Sequence, residues 1–366
     1  MPVYLHHIET LLPPTSYAQA DIAEALKKTV AQGDRRTEKI IHHLYAHSAI
    51  ERRSSVVTDF LPGAEPGIFY DAQADAFLCP STQARNTLYT EAARTMFPTI
   101  AARAFEAAAG FAPEQLTHLI TVSCTGFFQP GPDFAILKAL GLHANVERYH
   151  LGFMGCYAAF PALRMAKAFC EASPEAVVLV VCLELCSLHV QWTGGMDDLL
   201  AGSVFADGAG AAIVSARQPE GSALRLDGFS SAIAPAGDSD MAWTIGDVGF
   251  QMRLSSYVPE IIQTNVCAAI QPILEKAERT QEEITHWAVH PGGRAILDRV
   301  ERGLSLPETA LAASREVLRG CGNMSSATIL FVLRELLTRG VAPDETLLAM
   351  SFGPGLTIET ALLTAV

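Results

Sequence analysis

Ala158-Ala-Phe-Pro-Ala-Leu-Arg-Met-Ala-Lys-Ala-Phe-Cys-Glu-Ala172, then Ser173-Pro-Glu175, then Ala176-Val-Val-Leu-Val-Val-Cys182, reads as a helix, a turn and a strand. The last piece is short, β-branched and apolar at every position, which is the mark of a strand covered on both faces. Segments of the same kind lie at 119–123, 211–215, 286–289 and 347–351, and all five are expected to be buried parallel strands. Helical stretches at 86–109, 258–276 and 326–337 alternate with them. Strands alternating with helices predict an α/β architecture whose sheets carry helices on both faces. The polar, turn-rich Gln218 to Gly221 marks a seam between two halves, 1–217 and 222–366. After Pro13 and Pro14, the helix-rich residues 17–49 are expected to form a cap ahead of the first core strand.

Composition agrees with a large core. Of 366 residues, 49% are hydrophobic and 18% charged, against about 25% charged in an average domain. The net charge is −13, and Lys27-Lys28, Arg35-Arg36 and Arg52-Arg53 are the nearest thing to basic clusters. A nucleic-acid binder needs a continuous basic stripe, so no nucleic-acid partner is expected. The N-terminus lacks the basic and apolar regions of a signal peptide. The most apolar stretch, 176–183, is too short to span a bilayer and runs into Glu184. These features predict a soluble, cytoplasmic chain without membrane insertion. The eight cysteines are scattered, with no Cys-x-x-Cys pair, and read as free thiols.

Working outward from the first helix, the residues just before it are Leu151-Gly-Phe-Met-Gly-Cys156-Tyr157. Gly155 permits a tight turn, and a cysteine at a helix N-terminus sees the positive end of the macrodipole, which favours thiolate. Cys156 is therefore either a small core residue or an activated nucleophile. His290 ends the strand at 286–289 and precedes Pro291-Gly292-Gly293, so its ring sits where α/β folds place their sites. It is either a packed histidine or a base that holds a thiolate as an ion pair. Asn323, in Gly322-Asn-Met-Ser-Ser326, either caps the following helix or donates to an oxyanion. Gly353-Pro354-Gly355 near the chain end is a loop that lets backbone approach a substrate, or an ordinary tight turn.

Together these blocks resemble the chalcone synthase-like, or type III, polyketide synthases. The likeness runs along nearly the whole chain. Its motifs are Ser123-Cys-Thr-Gly with Pro130-Gly-Pro-Asp, Gly155-Cys156, Phe205-Ala-Asp-Gly, Gly249-Phe250, His290-Pro-Gly-Gly-Arg-Ala-Ile-Leu-Asp, Gly322-Asn-Met-Ser-Ser and Phe352-Gly-Pro-Gly-Leu-Thr-Ile-Glu-Thr. The resemblance implies an α/β thiolase fold of five layers, αβαβα, with two similar halves, assembled as a homodimer. It implies Cys156 as the carrier of primer and growing chain, with His290 and Asn323 promoting decarboxylation of malonyl-CoA. It implies an acyl-CoA primer and malonyl-CoA as substrates, with no metal and no cofactor. Phe205 matches a gatekeeping aromatic between CoA tunnel and cavity.

The chain departs from the family in several places. Met252 stands where a second gatekeeping Phe is found, and Ile40, His43 and His47 stand where plant members aim Lys and Arg at CoA phosphates. Arg52, Arg53 and Arg294 are the replacements expected for that role. His43 and His47 share a helix face, but no third metal ligand lies near them in sequence. Asp207-Gly-Ala-Gly210 leads into a strand and so fails as a nucleotide loop. Cys124 is a cavity residue, either inert or a second reactive thiol, and Gln129 matches a position that crosses into the partner's cavity. His189, Met241 and Trp243 fall near cavity-lining positions, and Thr125, Ser325, Gly353 and Pro354 complete the expected substrate-binding set. The wording Gly152-Phe-Met-Gly-Cys-Tyr157 is most similar to bacterial alkylpyrone and alkylresorcinol synthases, implying a fatty acyl primer. The rival readings are a papain-like protease, which lacks its Cys-Gly-x-Cys block here, a carrier-dependent ketoacyl synthase, and a non-catalytic acyl-binding protein.

Overall fold

The computed structural model describes residues 1–61, 67–71, 73–74, 76–234, 241–255 and 257–366. The frame of the first half is β1 (Tyr4–Leu11), α1 (Arg35–Ala46), α2 (Thr82–Ala107), β2 (His118–Ser123), β3 (Glu147–Gly152), α3 (Ala159–Ala172), β4 (Val177–Leu185) and β5 (Asp207–Ser215). The second half supplies β6 (Leu224–Ile233), a hairpin of β7 (Met241–Gly246) and β8 (Gly249–Leu254), α4 (Val258–Lys276), β9 (His286–Val289), α5 (Arg294–Gly303), α6 (Thr328–Arg339), β10 (Thr346–Gly353) and β11 (Thr357–Ala365). The sheet order is β9-β10-β11-β6-β1-β5-β4-β2-β3.

The two halves repeat one pattern. In the first, β2 and β4 are parallel, β4 and β5 antiparallel, and β5 and β1 antiparallel. In the second, β9, β10, β11 and β6 follow the same sequence of directions. The halves meet through a short antiparallel contact, Tyr4↔Arg225 and Leu5↔Leu224. The long helices α2 and α4 precede β2 and β9, and the helices α3 and α6 precede β4 and β10.

Burial shows why the strands are apolar throughout. Along β4, Val178, Val180 and Cys182 face one core, while Val177, Leu179, Val181 and Leu183 face another. The first core also holds Ala162, Leu163 and Ala166 of α3 and Leu330, Val332 and Leu333 of α6, which places these two helices between the sheet halves. The second core joins β4 and β5 to α2, and a third joins β9, β10 and β11 to α4 and α5. Helix, sheet, helix, sheet, helix is the resulting order, the five-layered αβαβα thiolase-like arrangement. Small residues let the central layer close: a Cβ on Gly210 would stand 2.9 Å from the Leu330 side chain. Leu330 is fully buried there, and truncation to Ala costs about 2–5 kcal/mol.

One expectation is corrected. The segment at 211–215 belongs to β5, which runs antiparallel to β4, and the large sheet is mixed. A five-layered protein buries both faces of a strand whatever its direction, so an apolar run does not report parallel pairing. No helix among the described residues is long and apolar enough to cross a membrane.

Candidate active site

The C-terminal ends of β2, β4, β9 and β10 and the turns ahead of α3 and α6 converge on one cavity of about 700 Å³. Its buried lining includes Cys124, Thr125, Cys156, Cys186, His290, Asn323 and Ser325. Its exposed lining, which marks the mouth, includes His43, His47, Met196, Arg253 and Arg294. The hairpin covers one side with Met241, Trp243 and Met252, and Phe205 and Pro354 close others.

Cys156 lies in the turn immediately ahead of α3 and is 9% exposed. Gly155 makes that turn at φ +92°, and a Cβ there would come within 2.3 Å of Pro354. Burial pushes the Cys156 thiol up to about 11 and the Glu184 carboxylate adds to this, while hydrogen bonds from Ser325 and Asn323 pull it down. Desolvation opposes the field of the helix N-terminus, which favours the thiolate.

His290 follows β9, anchored by its N–H to the Met350 carbonyl at 2.9 Å. Its ring is buried, and among the described residues neither Nδ1 nor Nε2 has a hydrogen-bond partner. Burial lowers its pKa to about 3. Burial thus disfavours the charged form of each group, the thiolate of Cys156 and the imidazolium of His290, so an ion pair between them forms by proton transfer inside an enclosed apolar site. Orphaned ring nitrogens in a cavity are groups waiting for a ligand to bond.

Asn323 is gripped by backbone on both sides, its N–H on the Val204 carbonyl and its carbonyl on the Ala206 N–H. Its Oδ1 accepts from the Ser325 N–H at 2.8 Å, and its Nδ2 donates to the Gly292 carbonyl at 3.2 Å. The side chain thus braces the turn by accepting from the first N–H of the 3₁₀ segment that leads into α6, and it presents its remaining N–H toward the thiol. Helix α6 begins at Thr328, after a short 3₁₀ turn. Ser325 holds a left-handed conformation, φ +47°, a strain kept where the surroundings fix it.

The sequence reading passed over Glu184. It is fully buried at the end of β4, where Oε2 accepts from the Cys124 N–H at 2.9 Å and from Thr125 Oγ1 at 3.0 Å, while Oε1 accepts from Ser326 Oγ. Burial lifts its pKa to about 7. The available signal was a lone carboxylate closing an otherwise apolar strand. Cys186, Met196 and Arg253 were also passed over, and no local pattern points to them. Cys124 is tied by the Gly155 N–H, which donates to its Sγ at 2.9 Å, and burial holds its thiol far above the ordinary range.

Several expected residues stand outside the cavity. Arg53 is buried, donating to Gln19 Oε1 at 2.8 Å and to the Phe205 carbonyl at 2.6 Å; its guanidinium braces the Phe205 backbone and does not line the cavity. Arg52 is exposed and spends its guanidinium on Ser16. His189 lies behind the wall, and Gly353 is pressed against Tyr157, whose ring a Cβ would approach within 2.4 Å. Gln129, expected to reach into a partner's cavity and not its own, is exposed in the single chain. Arg294 does line the mouth, with Asp298 3.5 Å away. His43 and His47 are edge to face at 4.7 Å, and among the described residues no group of three possible ligands forms a metal site.

Residues 3–218 match the N-terminal domain of chalcone and stilbene synthases, and residues 226–366 match their C-terminal domain. Among solved structures, the chain is similar to PKS-I from the brown alga Ectocarpus siliculosus, with a TM-score of 0.92 and 29% identity over 100% of this chain and 98% of that one. It is also similar to the C-terminal type III polyketide synthase domain of Steely1, a type I/III hybrid from Dictyostelium, with a TM-score of 0.87 and 25% identity over 100% of both.

Proposed function

The chain belongs to the chalcone and stilbene synthase family, the type III polyketide synthases, which are acyltransferases acting on CoA thioesters; on that footing we propose that it extends a fatty acyl-CoA primer with malonyl-CoA on Cys156, as a homodimer, and closes the product to an alkylpyrone or alkylresorcinol. The observation that carries this reading is the meeting of Cys156, His290 and Asn323 in one largely apolar cavity. Cys156 attacks the primer carbonyl, its proton passing to His290, and free CoA leaves as the acyl thioester forms. Malonyl-CoA then loses CO₂. The enolate oxygen is held by the imidazole N–H and the Asn323 amide, two donors that need no reorganisation. The carbanion attacks the Cys156 thioester, forming the new carbon–carbon bond and releasing the thiolate. A dry cavity protects that carbanion from protonation by water.

Arg253 and Arg294, with His43 and His47, are the groups at the mouth that suit the phosphates of CoA, replacing Arg52 and Arg53 in that role. An apolar deep lining with Met241 and Met252 suits a flexible alkyl chain, since methionine adapts its shape to its contacts. The test is incubation with labelled malonyl-CoA and primers from acetyl to long fatty acyl-CoA, read by mass spectrometry. Long-chain primers are expected to yield pyrones or resorcinols that vanish in Cys156→Ala. Preference for acetyl or benzoyl primers would overturn the fatty acyl assignment.

A further inference from the structure

Asn323 is set in place by a short parallel bridge to Phe205, in which its N–H donates to the Val204 carbonyl at 2.9 Å and its carbonyl accepts from the Ala206 N–H at 2.8 Å. The bridge belongs to no longer strand, so what packs on it decides where the Asn323 amide stands. One side chain packs on both of its arms. Arg53 comes from the short strand Arg52–Ser55, which pairs with Thr15–Ala18 and takes no part in the large sheet. Its Nη1 donates to the Phe205 carbonyl at 2.6 Å, on one arm. Its stem lies against Gly322, on the other, where a Cβ would stand 3.0 Å from Arg53 Cγ and Cδ.

The head of Arg53 is itself fixed. Its Nε donates to Gln19 Oε1 at 2.8 Å, and its guanidinium carbon lies 5.8 Å from the centre of the Tyr45 ring. Gln19 Nε2 donates in turn to the Ser203 carbonyl at 2.7 Å and to Ser48 Oγ at 3.1 Å. The carbonyls of Ser203 and Phe205, on either side of Val204, are therefore both held by the N-terminal cap. Asp207 supplies the opposite charge from a fully buried position, where it accepts from the Val56 and Ser187 N–H groups at 2.8 Å each. A planar guanidinium whose donors point in fixed directions holds a carbonyl in one place, and a buried arginine persists where its charge is engaged in this way.

We propose that Arg53 is a positioning residue for decarboxylation: it clamps Phe205 and Gly322 together from behind, so that the Asn323 amide stands where negative charge develops on the malonyl thioester. This rests on the polyketide synthase reading above. Donors to an oxyanion act by being fixed before the reaction, and a displacement of about 1 Å costs about 10²-fold in rate. Cys156 is carried by a different turn, packed on Pro354 and held by Ser351, so its acylation does not depend on Arg53. Arg53→Met keeps the stem on Gly322 and loses every donor. Arg53→Lys keeps the stem, the charge and a donor. Gln19→Met leaves the Phe205 bond but frees the Arg53 head and the Ser203 carbonyl.

The experiment measures steady-state CO₂ release from labelled malonyl-CoA alone, and single-turnover acylation of Cys156 by one accepted primer, read as intact mass. Both are run in the wild-type and Asn323→Ala backgrounds, with thermal melts to establish folding. Arg53→Met is expected to lower kcat for CO₂ release by about 10–100-fold with KM steady, the pattern of an interaction made only in the transition state, while acylation stays within about threefold. Arg53→Lys is expected to restore about half of the loss on a logarithmic scale. Gln19→Met is expected to show a smaller loss of the same kind, and with Arg53→Lys it carries the test if Arg53→Met does not fold. In the Asn323→Ala background, Arg53→Met is expected to remove less than about a further twofold, because it acts through the missing amide. Equal losses of acylation and CO₂ release overturn the assignment alone, as do losses that multiply in full with Asn323→Ala, or unchanged CO₂ release in folded Arg53→Met. A wild-type enzyme that neither releases CO₂ nor takes any primer overturns the proposed function and this assignment with it.

Discussion

In the N-terminal half, Gly155 turns the chain at φ +92° and delivers Cys156 ahead of α3; in the C-terminal half, Gly322 turns it at φ +74° and delivers Asn323 ahead of α6. The two turns occupy corresponding places in a repeated frame, and both helices lie in the central layer. Their chemistry is divided. The first half brings sulfur and a carboxyl group, Cys124, Cys156 and Glu184. The second brings neutral donors, with His290 and Asn323 in the cavity and Ser351 Oγ donating to the Cys156 carbonyl at 3.0 Å. A duplicated scaffold thus places a cysteine thiol from one half in the same cavity as an imidazole and an amide from the other.

The largest expected effect comes from Cys156→Ala, which should lower polyketide formation by at least about 10⁴, as for loss of other covalent nucleophiles. Malonyl-CoA decarboxylation, assigned to the second half, should continue, measured as labelled CO₂. If both activities disappear together in folded enzyme, the division between halves is wrong. Asn323→Ala should do the reverse, lowering decarboxylation by about 10²–10³ for one lost oxyanion donor. Acylation of Cys156 should survive and be visible as a primer-sized increase in intact mass; its absence would merge the two roles.

The pH dependence of Cys156 alkylation sharpens the comparison further. With the thiol pushed up to about 11 and His290 down to about 3, the reactive thiolate grows as pH rises. Iodoacetamide labelling, mapped to the Cys156 peptide, should therefore rise about tenfold per unit between pH 7 and 9. A rate already flat from pH 6 would mean that a thiolate–imidazolium pair exists at rest.

The smallest effect concerns Glu184. Its folded pKa, about 7, is raised above the ordinary 4.5 by burial. The protonated form is the one the fold favours, so its contribution is complete below about pH 4.5 and lost as pH rises through 7. Glu184→Gln, which keeps an acceptor for Cys124 and Thr125, should be more stable than wild type at pH 8 by about 1–3 kcal/mol, and the two should converge near pH 5 in thermal melts. No gain at pH 8 would show that the carboxylate is comfortable as an anion, and that the first half is more polar than its burial suggests.

Much of the frame was legible because its signals are local. Strand ends moved by only a few residues, as at 347–351, which extends to Thr346–Gly353. Cys156, His290 and Asn323 could be singled out because each sits beside a glycine or proline that breaks an element and leaves the side chain at its end. Arg53 and His189 misled because their types suit a cavity, and only their neighbours show that both are fully engaged elsewhere. Glu184 was passed over for the converse reason: its chain neighbours are apolar, and its partners come from the turn just after β2 and from the turn ahead of α6, 59 to 142 residues away.

The sequence by itself determined the alternation of helix and strand, the glycine turns and the three polar residues at element ends, since each follows from conformational limits within a few residues. The tertiary structure alone decided the antiparallel course of β5, the desolvation of Cys156 and His290, the cations at the mouth and the burial of His189. Desolvation and hydrogen-bond partnership depend on which distant segments close over a group, and the residues beside it in the chain carry no record of them.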